Sequence, residues 1–354
     1  MKKSELLILH IGNHKTGTTS IQKAMVQEER FLRDNGYTVF RQGTKNNYLK
    51  YGNLSGWVQY MNNEFSVPHA VMFANLLHES GNKVIASGEG FSWLINEAEV
   101  NNLVLELKKV FNEVVVICYL RRQDKQVFSH YLQSSKDRTA VESRVFGSEI
   151  ASVPSMNSNI DAYLDYYKRM MVWNGLLCEP PHKLIVKNFE RKLLQEEDIV
   201  CDFFSLLGLT YNGPLIQTNI SPSIEQSVVG HLCNGLNISA SNQRAIFRGL
   251  SSNNTPTISR ETAGEIMDIY KDSNISLFQK FGISFEELIV EDDLKVNSID
   301  NFDVNVLVKI FTMLEPMLSI TEGEYNEILG QSSSKNINKK IQKILKFMKP
   351  WKYK

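Results

Sequence analysis

The sequence predicts an α/β fold: a central, mostly parallel sheet flanked by helices, with a C-terminal helical extension. Three observations predict it. Short apolar runs rich in β-branched residues recur along the chain, segments with helical periodicity lie between them, and a glycine-rich turn follows the first run. Strands that alternate with helices are joined by crossovers, so they pair in parallel and are covered on both faces.

The runs are "LLILHI" at 6–11, "YTVF" at 37–40, "KVIAS" at 83–87, "VVVICYL" at 114–120 and "KLIVK" at 183–187. Each has the length and composition of a buried strand. Ile21, Met25 and Leu32 recur at helical spacing after the first run, and Leu103, Leu107 and Phe111 do so before the fourth. Residues 190–285 read as largely helical, and "EEDIVCDFFSLLGL" is an amphipathic segment closing at Gly208. The acidic, polar stretch 291–303 reads as a boundary between an α/β domain, 1–290, and a helical appendage, 291–354. From Lys335 onward stand eight lysines and no acid. Ile337, Ile341, Ile344, Leu345 and Met348 fall on one side of a helix, with Lys339, Lys343 and Lys346 elsewhere. That is the pattern of a helix lying on an anionic membrane surface, or equally of a lysine-rich helix packed on its own protein.

The composition is that of an ordinary soluble globular chain, with 42% hydrophobic and 22% charged residues. Lysine plus arginine equals aspartate plus glutamate at 39 each, so no global field favours nucleic acid. Glu5 and His10 interrupt the N-terminal apolar run and no small-residue cleavage site follows, so it reads as a strand rather than a signal peptide. No run approaches the roughly 20 apolar residues of a membrane span. The cysteines, Cys118, Cys178, Cys201 and Cys233, lack metal-ligand spacing and disulfide density. A cytoplasmic chain with reduced thiols is the expectation, peripheral on the inner membrane face if the tail binds there.

The chemistry concentrates at "LHIGNHKTGTTSIQ", residues 9–22. Gly12 and Gly17 stand five apart with Thr19 two beyond, the frame of a phosphate-binding loop in all but one place. At that place stands Thr18, and the lysine, Lys15, lies inside the loop. A strand ending at Ile11 and a helix starting near Thr18 would set backbone N–H groups and the positive end of a helix dipole around one anion, with hydroxyls from Thr18, Thr19 and Ser20. Nucleotide triphosphate enzymes also need a carboxylate at a neighbouring strand exit to hold magnesium. Here the fourth strand ends "YLRRQD", so Arg121 and Arg122 occupy that exit and Asp124 reads as a helix cap. This predicts direct cationic recognition of a second phosphate.

Together these stretches resemble the sulfotransferases that use 3′-phosphoadenosine 5′-phosphosulfate (PAPS). "KTGTTS" is similar to the family's 5′-phosphosulfate loop. "LRRQDKQVFSHYL" looks like its 3′-phosphate motif, in which an arginine at a strand end precedes a serine by eight positions, as Arg121 precedes Ser129. Similarity extends more loosely through "VKNFERKLLQEEDIVCDFFSLLGL" and towards "FQKFGISF". The resemblance implies a P-loop-like sulfotransferase fold of the bacterial carbohydrate type, and PAPS as co-substrate with no metal. The donor would be bound by Lys15, Thr16, Gly17, Thr18, Thr19, Ser20, Arg121 and Ser129. In the family the lysine matching Lys15 contacts the leaving phosphate and the sulfuryl oxygens.

An acceptor hydroxyl also needs a base. The third run exits into "ASGEGFSWL", where Ser87, Gly88 and Gly90 let the chain approach a ligand and present Glu89 at the sheet edge. A glutamate in a similar position is the general base of heparan-type glycan sulfotransferases, although those usually carry lysine where this chain has Gly90. Histidine serves in other families, which makes His14 the strongest rival, ahead of His10 and His130. The resemblance implies a saccharide or glycolipid acceptor, such as a capsular, envelope or lipid-linked glycan. Its pocket is expected from the insertions 41–80 and 134–180, rich in aromatics such as Tyr48, Tyr51, Trp57, Tyr60, Tyr163, Tyr166, Tyr167 and Trp173. Arg138, Arg144 and Lys136 would suit an acidic acceptor. Two alternatives stay open: a magnesium-dependent small-molecule kinase with a variant loop, and a non-catalytic nucleotide-binding scaffold tethered to a membrane.

Overall fold

A computed structural model describes residues 2–41, 53–137, 140–214, 216, 221–235, 238–250 and 256–285. The predicted boundary at 291, the appendage and the basic tail lie outside the described residues, as do Tyr48, Tyr51 and Arg138.

All of the predicted runs are strands. In chain order the strands are β1 (Ser4–Gly12), β2 (Thr38–Val39), β3 (Gln59–Met61), β4 (Glu64–Ser66), β5 (Lys83–Ser87), β6 (Phe111–Leu120) and β7 (Lys183–Asn188). Five form one sheet in the order β2-β5-β1-β6-β7, every pair parallel. This is the α/β class that the alternation of runs predicts. From β1 the chain fills one side with β2 and β5, then crosses to the other for β6 and β7. The switch point therefore lies at the carboxyl ends of β1 and β6, where open parallel sheets bind ligands. The remaining pair, β3 and β4, is a small antiparallel hairpin that periodicity does not announce, because three residues are too few to display a period. Its turn residues Asn62 and Asn63 both take left-handed φ, 52° and 64°, as a tight hairpin requires.

The helices begin with α1 (Thr18–Gln27), α2 (Glu29–Asp34), α3 (Ala70–Ser80), α4 (Glu97–Val110) and α5 (Gln123–Ser134). They continue with α6 (Val141–Phe146), α7 (Ser158–Leu164), α8 (Tyr166–Asn174) and α9 (Ile199–Leu206). The remainder are α10 (Ile224–Gly235), α11 (Ala240–Gly249), α12 (Arg260–Ile269) and α13 (Lys271–Phe281). Among the described residues, no helix is long and apolar enough to cross a membrane.

The chain divides into two compact units. The first draws on Met1–Gln126, Asp161–Asn219 and Met267–Glu287 and contains the sheet. On one face Ile8, Ile85, Val115 and Ile117 pack with Ile21, Ala24 and Met25 of α1 and Phe203 and Phe204 of α9 in one buried cluster. The alternate residues Leu7, Leu9, Val114 and Val116 point the other way and are equally buried, so both faces are covered. Asp198 caps α9 by accepting from the N–H groups of Val200 and Cys201, and Gly208 ends the segment in a left-handed turn.

The second unit draws on Val127–Ile160 and Ile220–Ile266 among the described residues. Its core holds Tyr131, Phe146, Val228, Val229 and Leu232. His231 stacks on Tyr131 with ring centroids 4.2 Å apart, and Gln243 ties the backbone carbonyls of Ser135 and Gly230 together.

Candidate functional site

The loop 12–18 joins β1 to α1 at the switch point, and its path depends on two glycines. Gly12 has φ of 90°, and a Cβ there would lie 3.1 Å from both Cα and Cβ of Glu89. Gly17 caps α1 with φ of 78°, and its Cβ would lie 2.8 Å from Cγ2 of Ile199 on α9. Only glycine satisfies both the torsion and the contact at each place. Lys15 is itself left-handed, with φ of 61°, a conformation unusual for a residue with a side chain.

Asn13 is the hub of the loop. Its N–H donates to the Tyr119 carbonyl at 3.0 Å, and its own carbonyl accepts from the hydroxyls of Thr16 at 2.6 Å and Thr18 at 3.3 Å. Thr18 is therefore buried, with its hydroxyl bonded to the loop's own backbone. The hydroxyls of Thr16 and Thr18 hold the loop together, and that of Ser20 donates to the Ile216 carbonyl at 3.1 Å. Among the described residues, the Thr19 hydroxyl makes no hydrogen bond.

The next bonds of α1 run from the N–H groups of Ser20 and Ile21 to the Gly17 carbonyl. The preceding N–H groups, those of Thr16, Gly17, Thr18 and Thr19, donate to no acceptor among the described residues. Consecutive N–H groups at the start of a helix, with the helix dipole behind them, form an anion cradle.

The exit of β6 separates the two arginines by role. Arg122 grips Asp124 with two bonds, Nε to Oδ1 at 2.7 Å and Nη2 to Oδ2 at 2.8 Å. Asp124 is 1% exposed, so this carboxylate is a buried ion-pair partner in the first turn of α5, not simply the helix cap that its position suggests. Arg121 makes no ion pair among the described residues, and burial lowers its pKa against the opposing pull of Tyr166, Asp124 and Glu190. Its carbonyl accepts from the Tyr166 hydroxyl at 2.7 Å. Ser129 is half-buried on α5, in the stretch belonging to the second unit.

Glu89 opens a short 3-10 turn, Glu89–Trp93, directly after β5, and its backbone rests against Gly12. One carboxylate oxygen, Oε1, accepts from Asn53 Nδ2 at 3.4 Å, and the residue is half-buried. Loop and turn are thus in contact through the glycine that admits the glutamate.

The histidines differ sharply. His10 is wholly buried in β1, its Nδ1 2.9 Å from Ser87 Oγ, and burial pushes its pKa down to about 3, so it is a neutral core residue. His130 is buried in the second unit, edge-on to Phe146 and 3.8 Å from a Glu142 oxygen. His14 belongs to the loop, but its Nδ1 lies 3.1 Å from both Tyr163 Oη and Ser92 Oγ, and Trp93 and Tyr163 flank its ring.

Several aromatics expected near an acceptor do other work. Tyr163, Tyr166 and Trp173 are fully buried. The Tyr163 hydroxyl accepts from the His14 N–H and Gln126 Nε2, and the Tyr163 ring lies tilted against Trp93 with centroids 4.2 Å apart. Trp57 and Tyr60 pack on Phe73 and Phe65. Against the rings of Tyr163 and Tyr166 lies Arg169, which sequence reasoning missed. It is 1% exposed, and its Nη1 donates to Asn13 Oδ1 at 3.0 Å and to the Ser92 carbonyl at 2.9 Å. A signal for it was present: Tyr166, Arg169, Met170 and Trp173 follow i, i+3, i+4, i+7 on α8, a buried face with one guanidinium in it.

The fold and site define a parallel α/β protein whose switch point carries a run of N–H groups with no acceptor among the described residues, beside an arginine at the adjoining strand exit. The chain matches no protein-family model. It is 31% identical over 129 residues to an uncharacterized protein of Archaeoglobus fulgidus, a match covering 36% of this chain. The chain spans only 30% of that relative's length. Among solved structures it is similar to a sulfotransferase from Alicyclobacillus acidocaldarius, with 11% identity and a TM-score of 0.41. That likeness covers 80% of this chain and 98% of the other.

Proposed function

We propose that this chain is a sulfotransferase that moves a sulfuryl group from 3′-phosphoadenosine 5′-phosphosulfate to a carbohydrate hydroxyl. The observation that carries the reading is the run of N–H groups at residues 16–19 with no acceptor among the described residues. The donor set fits the donor molecule. A single phosphosulfate carries less charge than a β,γ-phosphate chain, so backbone dipoles and one ammonium suffice to hold it.

In this reading the 16–19 amides and the Thr19 hydroxyl bind the 5′-phosphosulfate, and Arg121 with Ser129 anchors the 3′-phosphate and sets the register. Glu89 accepts the acceptor's proton as its oxygen bonds to sulfur. The bond from sulfur to the 5′-phosphate oxygen breaks in line, and the electron pair leaves with the bisphosphate. Lys15 offsets the charge that grows on that oxygen. Removing such a contact costs about 3 to 4 kcal/mol of barrier, or roughly 10² to 10³ in rate. The kinase alternative asks for a magnesium-binding carboxylate at the β6 exit, where both oxygens of Asp124 are held by Arg122. The carbohydrate acceptor rests on the likeness of Glu89's position to that of the glycan enzymes' base, and membrane contact by the 335–354 tail is a further part of the proposal.

Calorimetry with 3′-phosphoadenosine 5′-phosphate, with and without magnesium, tests the core of the reading, followed by transfer from labelled donor to candidate saccharides. Expected are metal-independent binding and transfer that Lys15→Ala reduces at least a hundredfold with the fold intact. No binding, or binding only with magnesium, overturns it.

A further inference from the structure

Arg169 lies under the site, and no carboxylate pairs with it among the described residues. Among the described residues its guanidinium makes no ion pair: Nη1 bonds only neutral acceptors, and Nε and Nη2 are buried without a hydrogen-bond acceptor there. Two aromatic rings face it instead, Tyr163 at 4.6 Å and Tyr166 at 5.1 Å from the guanidinium carbon to the ring centroids. A buried cation ordinarily meets a carboxylate, because removal from water is otherwise unfavourable. Here it meets Asn13 in the anion loop and Ser92 in the turn that begins with Glu89.

The neighbours of Arg169 extend the same bracing. Asn13 Nδ2 reaches the Tyr166 hydroxyl at 3.4 Å, and that hydroxyl donates to the Arg121 carbonyl. The Ser92 hydroxyl donates to the Glu89 carbonyl at 2.7 Å. One buried residue of α8 thus bonds directly to the loop and to the glutamate turn, and through Asn13 and Tyr166 it is linked to the strand exit.

We propose that Arg169 is a positioning residue for the anion site, holding loop and turn in register while its unneutralised charge draws the bound anion into the cradle. The proposal deepens the sulfotransferase reading, but its essential requirement is only that an oxyanion occupies the loop. A carboxylate opposite Arg169 would hold the backbone equally well and would cancel the field. An asparagine amide bonds the guanidinium and leaves the charge to act on the ligand.

The test uses the full chain with two probes, inorganic sulfate and 3′-phosphoadenosine 5′-phosphate, and reads both the thermal midpoint and the affinity. Arg169→Lys, which keeps the charge, is expected to bind sulfate within about threefold of the parent, while Arg169→Gln, which keeps a donor but no charge, loses at least tenfold. Asn13→Asp covers the case in which Arg169→Gln fails to fold. It places an acid against the guanidinium, so it is expected to keep or raise the midpoint while lowering sulfate affinity at least tenfold. A merely structural arginine predicts the reverse, affinities that follow the midpoints and ignore charge. Sulfate binding by folded Arg169→Gln or Asn13→Asp within twofold of the parent overturns the proposal. If the parent binds sulfate but not the bisphosphate, the sulfotransferase reading fails and the Arg169 proposal stands; if it binds neither, both fall.

Discussion

At the scale of single residues, adjacent arginines of one sequence motif differ in their partners. Arg122 neutralises Asp124, and the pair is 11% and 1% exposed. Arg122→Ala would leave a buried carboxylate alone, so a loss of about 3 to 5 kcal/mol in stability is expected from urea unfolding. Arg121 has no such partner among the described residues, and Arg121→Ala is expected to leave the unfolding midpoint nearly unchanged. Calorimetry should instead find bisphosphate affinity reduced roughly tenfold to a hundredfold, as for loss of a charge-assisted contact. Equal effects of both substitutions on stability would contradict this division. Glu89 supplies a further separation, of binding from chemistry. Glu89→Gln keeps the shape of the turn but cannot take a proton, so transfer should slow by about 10² to 10⁴ with donor affinity within a few-fold. His14→Gln slowing transfer more than Glu89→Gln would move the base to the loop.

At the scale of elements, the loop is held by its neighbours as much as by its own sequence. Gly17 starts α1 in a left-handed turn against Ile199 of α9, and α9 in turn is fixed by its Asp198 cap. Gly17→Ala adds both torsional strain, about 1 kcal/mol or more, and a clash with Ile199. Combining it with Ile199→Ala should remove the clash but not the strain. A double-mutant cycle on bisphosphate affinity should therefore show coupling of about 1 kcal/mol or more, and additive losses would contradict this packing. The helix after the loop shows what periodicity misses. Ile21, Met25 and Leu32 share one buried face, yet the helix breaks at Glu28, whose φ of −96° and ψ of 21° separate α1 from α2. Phe111 likewise continues the helical spacing of Leu103 and Leu107 but opens β6, because burial alone does not distinguish the last turn of a helix from the first residue of a strand.

At the scale of the whole molecule, each unit buries a neutral histidine. His10 in the first and His231 in the second are held at a pKa of about 3 by burial, below the ordinary 6.5. Above pH 6.5 the imidazoles are neutral whether the chain is folded or not. As pH falls from 6.5 towards 3 the unfolded chain takes up protons that the folded chain refuses, so stability drops. The loss is on the order of a few kcal/mol per histidine. Urea midpoints across this range should fall, and His10→Gln should flatten the fall; an unchanged slope would contradict the burial of a neutral ring. The sequence by itself determined the class of fold, the loop and its glycines, and the arginines at a strand exit, because strand runs, helical spacing and turn residues are local and leave a periodic trace. Tertiary structure alone decided which arginine stays unpaired among the described residues, that Thr18 is buried, and that Arg169 underlies the site. Those outcomes depend on contacts between residues up to 156 positions apart, such as Asn13 and Arg169, and pairing at that range leaves no period in the chain.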